Sequence, residues 1–131
     1  MLRYLYIPPS INAALVAQKA GVDWLFLDLE YIGKDERQGN RNTVRAQHSI
    51  SDVRSYRSVV SSSQLMVRVN PIGEWSSEEI NLVIEAGADV LMLPYFRTTQ
   101  EVGRFINLVD GRATTCLLLE TASALANLDN I

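Results

Sequence analysis

Polar side chains that can do acid–base or metal chemistry follow several apolar runs of the chain. In chain order they are Asp28 and Glu30, Arg68 and Asn70, Tyr95 and Arg97, and Glu120 and Thr121. Converging carboxylates suit a hard divalent cation such as Mg²⁺ or Mn²⁺, which prefers oxygen ligands. A nearby guanidinium suits a substrate carboxylate or a developing enolate oxygen. Metal and arginine together around a 2-oxo acid or a thioester would make a workable enolate site.

Each of these candidates also has an ordinary structural interpretation. A carboxylate at a strand end, such as Asp28, often caps a helix or faces solvent, whereas a buried Arg68 must be paired or functional. Glu120 follows an apolar run and precedes a helix, so both interpretations stay open. His48, the only histidine, lies in a long irregular stretch or at a helix start, where a capping or surface role competes with catalysis. Cys116 lies inside an apolar run and is interpreted as a core residue.

Strands and helices are predicted to alternate, which would bring the candidate side chains to one edge of a sheet. Apolar runs predict strands at 2–7, 24–29, 65–69, 89–94 and 115–120, and helical spacing predicts helices at 11–20, 51–60, 76–86, 99–109 and 122–128. Two capping boxes, Ser76 with Glu79 and Thr98 with Glu101, are expected to open the third and fourth helices. This alternation predicts a parallel α/β sheet, either doubly wound or the first five of the eight βα units of a TIM-type barrel.

Length and composition indicate a single domain over residues 1–131. The apolar share is 47%, the charged share is 21% and the net charge is −3, so no broad basic surface for nucleic acid is expected. No apolar run approaches the roughly 20 residues of a membrane span, and no signal peptide is recognisable. The single cysteine fits a reducing cytoplasm. The basic residues Arg37, Arg41 and Arg45 are interpreted as a solvated face within the irregular stretch 31–50, whose length is typical of functional loops.

Four segments resemble, in order, the HpcH/HpaI aldolase and citrate lyase β-subunit family: AGVDWLFLDLE at 20–30, MVRVNP at 66–71, GADVLMLP at 87–94 and LLETA at 118–122. The resemblance covers essentially the whole chain. It implies a (β/α)₈ barrel of the phosphoenolpyruvate/pyruvate-binding kind. It also implies a carbon–carbon lyase or aldolase that acts through an enolate on a 2-oxo acid or an acyl-CoA-type thioester, with Mg²⁺ or Mn²⁺.

The resemblance also implies roles for individual residues. Arg68 matches the arginine after strand three that holds the substrate carboxylate or enolate oxygen. Glu120 matches the metal-binding glutamate after strand five. Asp28 and Glu30 match the acidic pair after strand two that positions metal-bound water or substrate.

Two further features concern the irregular stretch. Lys34 and Arg37 loosely match a Lys-x-x-Arg feature of the citrate-lyase branch. Tyr31 stands where the aldolase branch has histidine and the citrate-lyase branch has aspartate, so the usual base is absent from that position. Whether His48 replaces that base is left open.

The family's second metal ligand, an aspartate after strand six, would lie beyond Ile131. The chain is then a fragment of a barrel, or a partner supplies the remainder, or the protein is not a working enzyme; a non-catalytic fragment that acts by association is the alternative to a lyase. Stopping at strand five would leave two sheet edges unpaired, so we expect a homo-oligomer. The strand side chains expected to lack partners are Trp24, Phe26, Met66, Leu91 and Leu118.

Overall fold

The computed structural model describes residues 2–33 and 48–131, in which five strands alternate with five α-helices. The strands are β1 Leu5–Tyr6, β2 Trp24–Asp28, β3 Gln64–Arg68, β4 Val90–Leu93 and β5 Thr114–Leu117. The helices are α1 Ile11–Lys19, α2 Ile50–Val59, α3 Ser76–Glu85, α4 Thr99–Val109 and α5 Ala122–Ala126, followed by a 3-10 turn at Leu128–Asn130. Every predicted strand and helix is therefore present, although β1 is much shorter than the predicted 2–7.

The strands form one parallel sheet in the order β1-β2-β3-β4-β5. Successive strands lie side by side because each short crossover returns the chain to the neighbouring position. Within the described residues the sheet is open, with β1 and β5 at its edges. The register places Arg68 opposite Asp28 on one side and opposite Met92 on the other. The prediction of a parallel α/β sheet with consecutive strands is confirmed.

The two faces of the sheet carry different layers of side chains. The face toward the helices holds the larger cluster, whose strand residues include Leu25, Leu27, Leu65, Val67, Leu91 and Leu93. The opposite face, which would be the inside of a barrel, holds Phe26, Met66, Val90 and their neighbours Trp24, Met92 and Cys116. Side chains alternate between faces along a strand, so Asp28 and Arg68 lie on the inner face, two positions after Phe26 and Met66.

The expectation that inner strand residues would lack partners is wrong for three of the five residues. Phe26, Met66 and Leu91 are 8%, 3% and 0% exposed, and Leu91 packs in the layer between sheet and helices. Trp24 and Leu118 are half-buried. The inner-face side chains Phe26 of β2 and Met66 of β3 are thus buried.

Cys116 is half-buried on the same inner face, in agreement with its interpretation as a core residue. Burial raises the pKa of its thiol. None of the helices in the described ranges is long and apolar enough to cross a membrane.

The two predicted capping boxes have different outcomes. The Thr98–Glu101 box is confirmed: the N–H of Glu101 donates to Oγ1 of Thr98 (3.2 Å) and the N–H of Thr98 donates to Oε2 of Glu101 (3.0 Å). The Ser76–Glu79 box is wrong. Helix α3 begins after Trp75 without a side-chain cap, and Oγ of Ser76 accepts the N–H of Gly73 (2.9 Å).

Candidate functional site

The centre of the candidate site is a two-point ion pair between neighbouring strand ends. Nε of Arg68 donates to Oδ1 of Asp28 (3.0 Å), and Nη2 donates to Oδ2 (2.8 Å). The side chains are 20% and 13% exposed, respectively. This geometry follows from the register, because β3 places Arg68 directly opposite Asp28 on the same face of the sheet. The guanidinium also lies over the ring of Phe26, with its central carbon 5.6 Å from the ring centroid, so apolar contact supports the pair from below.

Glu30 is the second carboxylate of the cluster. Its side chain is 3% exposed, and Oε2 lies 3.3 Å from Nε of Arg68. Its backbone N–H donates to Oδ1 of Asp28 (3.1 Å). Hydrogen bonding with Asp28 raises the pKa of Arg68, desolvation opposes this, and the charges of Asp28, Glu30 and Glu120 raise the pKa further. Arg68 is therefore a fixed positive charge among carboxylates.

Glu120 is exposed and lies in the segment between β5, which ends at Leu117, and α5; the predicted strand 115–120 therefore ends earlier than expected. Its Oε1 accepts the backbone N–H of Tyr95 (3.0 Å), a residue in the left-handed region at φ 53°. Its charge is among those that raise the pKa of Arg68, so it belongs to the same electrostatic environment. Arg97 lies over the ring of Tyr95, 4.7 Å from the centroid. Thr121, also noted in the sequence, caps α5 and donates to the carbonyl of Phe96 (2.7 Å).

His48 is joined to the backbone of Asp28 by two hydrogen bonds. The N–H of His48 donates to the carbonyl of Asp28 (3.0 Å), and Nδ1 of His48 accepts the N–H of Asp28 (3.1 Å). With Nδ1 accepting, the neutral ring carries its proton on Nε2 and has no spare lone pair for a base. The ring also packs edge-on against Tyr56, with centroids 6.0 Å apart. In this arrangement His48 is bonded to the backbone at the end of β2 through both its N–H and its ring.

Two adjoining cavities lie beside these residues. A cavity of about 240 Å³ is lined by Asp28, Leu29, Glu30, Tyr31 and His48. A second of about 390 Å³ is lined by Leu29, Tyr31, His48, Ser49, Ile50, Asn70, Trp75, Glu78, Glu79 and Leu82. The smaller cavity is the one next to the carboxylates, and we take it as the candidate substrate site. Tyr31 forms part of the wall between the two.

Glu79 has a different role from the helix cap that the Ser76–Glu79 pattern predicts. Glu79 instead accepts hydrogen bonds from Asn70, with Nδ2 of Asn70 2.6 Å from Oε1 of Glu79. Asn70 is 3% exposed and needs a partner for its amide. Asn70 directly follows a predicted apolar strand, and this position marked it as a candidate site residue. No local sequence pattern linked it to Glu79.

The residues predicted to act together are brought together by the fold. Asp28, Glu30 and Arg68 are in direct contact, as predicted, and Glu120 acts on Arg68 through its charge. Lys34, Arg37, Arg41 and Arg45 lie outside the described residues.

The described residues do not by themselves form a complete site for a divalent cation. Over 2–33 and 48–131, no group of three or more His, Cys, Asp or Glu side chains is arranged to hold a metal. Both oxygens of Asp28 are bonded to Arg68, and Glu120 offers an exposed carboxylate. The chemistry of these oxygens fits Mg²⁺ or Mn²⁺, but their number does not complete a coordination sphere.

Comparison with known proteins agrees with this architecture. Residues 3–131 match the sequence profile of the family described as HpcH/HpaI aldolase/citrate lyase. Oxaloacetate acetylhydrolase with its product oxalate is similar in structure, with TM-score 0.57 and 16% identity over 88% of this chain and 44% of that one. Mandelate oxidase with benzoyl-formic acid has TM-score 0.57 and 12% identity over 88% and 41%. No curated protein matches in sequence. The two solved structures support the fold, and the chain spans less than half of their length.

We predict that Asp28→Asn lowers the free energy of unfolding by about 1–3 kcal/mol, because it removes a charged partner from a largely buried guanidinium. Urea unfolding followed by circular dichroism would measure this. Asp129→Asn, in the exposed 3-10 turn, makes the same change of charge and should leave stability within about 0.5 kcal/mol of the original. Equal stability of the two variants would contradict the prediction.

Proposed function

This chain belongs to the HpcH/HpaI aldolase/citrate lyase family, and from that premise we propose that it is a metal-dependent carbon–carbon lyase. The proposed substrate is a 2-oxo acid or an acyl-CoA-type thioester that reacts through an enolate. The observation that carries the proposal is the position of Arg68, which Asp28 and Glu30 hold at the carboxyl ends of parallel strands. Active sites of parallel α/β barrels are built at that end. The cytoplasm is the proposed location, because the single cysteine fits a reducing compartment.

Arg68 is suited to hold an anionic oxygen of the substrate. A guanidinium has five N–H donors, and the contacts with Asp28 and Glu30 engage Nε and Nη2. Among residues 2–33 and 48–131 no contact engages Nη1, which would be available for a carboxylate or for the oxygen of an enolate. The carboxylates fix the plane of the guanidinium before substrate arrives, so little rotational freedom is lost on binding.

The proposed reaction breaks the bond between the α-carbon and a β-carbon that carries a hydroxyl group. A base takes the hydroxyl proton, the carbonyl forms at the β-carbon, and the bonding electron pair passes to the α-carbon as an enolate. The α-carbon then takes a proton, so atoms and electrons balance without an oxidant. Arg68 stabilises the negative charge while it develops on the enolate oxygen.

The formal charge of the cluster supports a role for a cation. Asp28, Glu30 and Glu120 carry −3 in total and Arg68 carries +1, which leaves −2 from these four residues. Such a cluster repels an anionic substrate unless positive charge is added. A bound Mg²⁺ or Mn²⁺ would supply that charge and polarise the substrate carbonyl. We propose Glu120 as one ligand, with further ligands outside the described residues.

The alternative function is a non-catalytic barrel unit that acts by association. The observation that favours it is the exposed apolar side chains around β1, including Leu5 at 44% and Ile7 at 53% exposure. These residues lie along an edge of the sheet, where unpaired backbone groups can bind another strand. The two solved structures are about twice as long, so both functions are proposals for the whole protein. A homo-oligomer is compatible with either function.

We predict that Arg68→Lys, in a chain as long as the two solved structures, lowers kcat/KM roughly 10²-fold, because a point charge does not replace a two-point fork. The measurement is aldehyde release from a series of 2-oxo acids whose β-carbon carries the hydroxyl group that the proposed step needs. Arg104→Lys, on the exposed side of α4, is the matched control. Full activity of the Arg68 variant would remove this residue from the mechanism.

We predict that Glu120→Gln, in a chain as long as the solved relatives, weakens Mg²⁺ or Mn²⁺ binding by roughly tenfold or more, since an amide is a poorer ligand than a carboxylate. Isothermal titration calorimetry would give the dissociation constants. Glu85→Gln, exposed at the end of α3, controls for the loss of a charge. An unchanged titration would leave Glu120 with a purely structural role at Tyr95.

We predict that these 131 residues, expressed alone, self-associate, because the β1 edge exposes apolar side chains. We also predict that they show no turnover. Sedimentation velocity over a range of concentrations would show association. Leu5→Lys should reduce it, because a charge on an edge strand opposes pairing. Val16→Lys, on α1, changes an exposed apolar residue away from that edge and should not. A stable monomer that turns over substrate would contradict this prediction.

A further inference from the structure

A buried amide joins the loop after β2 to helix α3. Oδ1 of Asn70 accepts the backbone N–H groups of Tyr31 and Ile32, each at 2.9 Å. Its Nδ2 donates to Oε1 of Glu79 (2.6 Å) and to the carbonyl of Leu29 (3.4 Å). The orientation of the amide is determined by these partners, because the oxygen meets two donors and the nitrogen meets two acceptors. A carboxylate or an apolar side chain could not make the same set of bonds.

Glu79 holds this amide in place. Besides the bond to Nδ2, its Oε1 and Oε2 accept the backbone N–H of Asn70 at 3.2 and 3.3 Å. Burial raises the pKa of Glu79, and the hydrogen bonds from Asn70 lower it in part. Glu79 is half-buried and bonds to Asn70 instead of capping the helix. Hydrogen bonds to a charged carboxylate are strong, so they hold the Asn70 side chain in one orientation.

The consequence reaches Glu30, which directly precedes Tyr31. The N–H of Glu30 is bonded to Oδ1 of Asp28 (3.1 Å), and the following N–H is bonded to Asn70. The backbone of Glu30 is therefore held on both sides while its carboxylate lies 3.3 Å from Nε of Arg68. Movement of this loop would move the carboxylate relative to the guanidinium.

We propose that Asn70 and Glu79 are positioning residues of the candidate site, which set Glu30 against Arg68 by holding the loop after β2. The catalytic consequence of this arrangement rests on the proposed lyase function, whereas the arrangement itself does not. Neither residue needs to touch substrate. Their effect is transmitted through the backbone of Tyr31 and Ile32.

The test is Asn70→Asp, made in the same protein that is used for turnover. The new carboxylate would keep an acceptor for the loop but would face Oε1 of Glu79 at the present 2.6 Å separation, where two like charges repel. We expect amide hydrogen exchange at Tyr31 and Ile32 to rise roughly tenfold, the change expected from losing about one hydrogen bond. We also expect the Nε–H resonance of Arg68, assigned from its loss in Arg68→Lys, to shift.

The decisive variant is the double change Asn70→Asp with Glu79→Gln. It places the carboxylate at position 70 and the amide at position 79, so the glutamine nitrogen can donate to the new carboxylate. We expect both slow exchange and the original Arg68 resonance to return. Where the wild type turns over substrate, Asn70→Asp should lower kcat/KM and the double variant should recover it. Glu78→Gln removes a neighbouring exposed charge on the same helix and should restore nothing when combined with Asn70→Asp.

Several outcomes separate the proposal from simple loss of folding. If Asn70→Asp does not fold, Glu79→Ala removes one acceptor and should change exchange and the Arg68 resonance in the same directions. An unchanged Arg68 resonance in a folded variant with fast exchange would overturn the proposal. So would a double variant that regains slow exchange and the Arg68 resonance without regaining turnover.

The proposed function can fail separately. A wild-type protein without turnover on the 2-oxo acid series would contradict the lyase proposal. The Arg68 resonance and the loop exchange would still decide whether Asn70 and Glu79 position Glu30. Restoration of both by the double variant would then support the positioning role alone.

Discussion

The pairing of Arg68 with Asp28 is the interaction on which the rest of the site depends. A guanidinium on the inner face of a sheet, above Phe26 and Met66, needs a charged partner there. The partner is available because β2 and β3 pair in a register that places the two residues side by side. A slip of one residue would turn Arg68 into the apolar layer under the helices and remove this partner. The ion pair and the strand register therefore support each other.

The loop after β2 adds a second level of organisation to this pair. The strand backbone places Asp28 and Arg68, but Glu30 lies beyond the strand and depends on side-chain contacts for its position. Those contacts come from β3 and α3 through Asn70, and His48 supports the other side of Asp28 through its backbone. Residues distant in the sequence thus hold a short acidic segment in place. Such support is what keeps a charged cluster in one geometry while a substrate exchanges with water.

Much of this arrangement could be predicted from the sequence, because the relevant signals are local. Apolar runs ending in polar residues identified the strands and placed Asp28, Arg68 and Glu120 at their carboxyl ends. The expectation for Leu91 was wrong because the face of the sheet on which this residue lies depends on the register between strands. That register pairs Met92 with Arg68. Burial of Phe26 and Met66 was missed for a related reason, since the cover of the inner face depends on how neighbouring strands pack.

The error at Glu79 and the contact of His48, which no sequence pattern predicted, have another physical cause. The Ser-x-x-Glu pattern at Ser76 is a sound local signal for a cap, but a buried amide competed for the same carboxylate. The contact of His48 with Asp28 joins residues separated by 20 positions and an irregular stretch, where no periodic pattern exists.

The charge of the cluster connects this geometry with the family chemistry. Two carboxylates around one guanidinium orient it well, but they also cancel its charge as seen by an anion. Under the proposed function, Arg68 would orient an enolate oxygen, and most of the electrostatic stabilisation would come from an added positive charge. Glu120 is exposed and bonded through one oxygen to Tyr95, so its other oxygen can face such a charge. In the proposed lyase the fold would place the arginine, and a bound cation would supply the remaining positive charge.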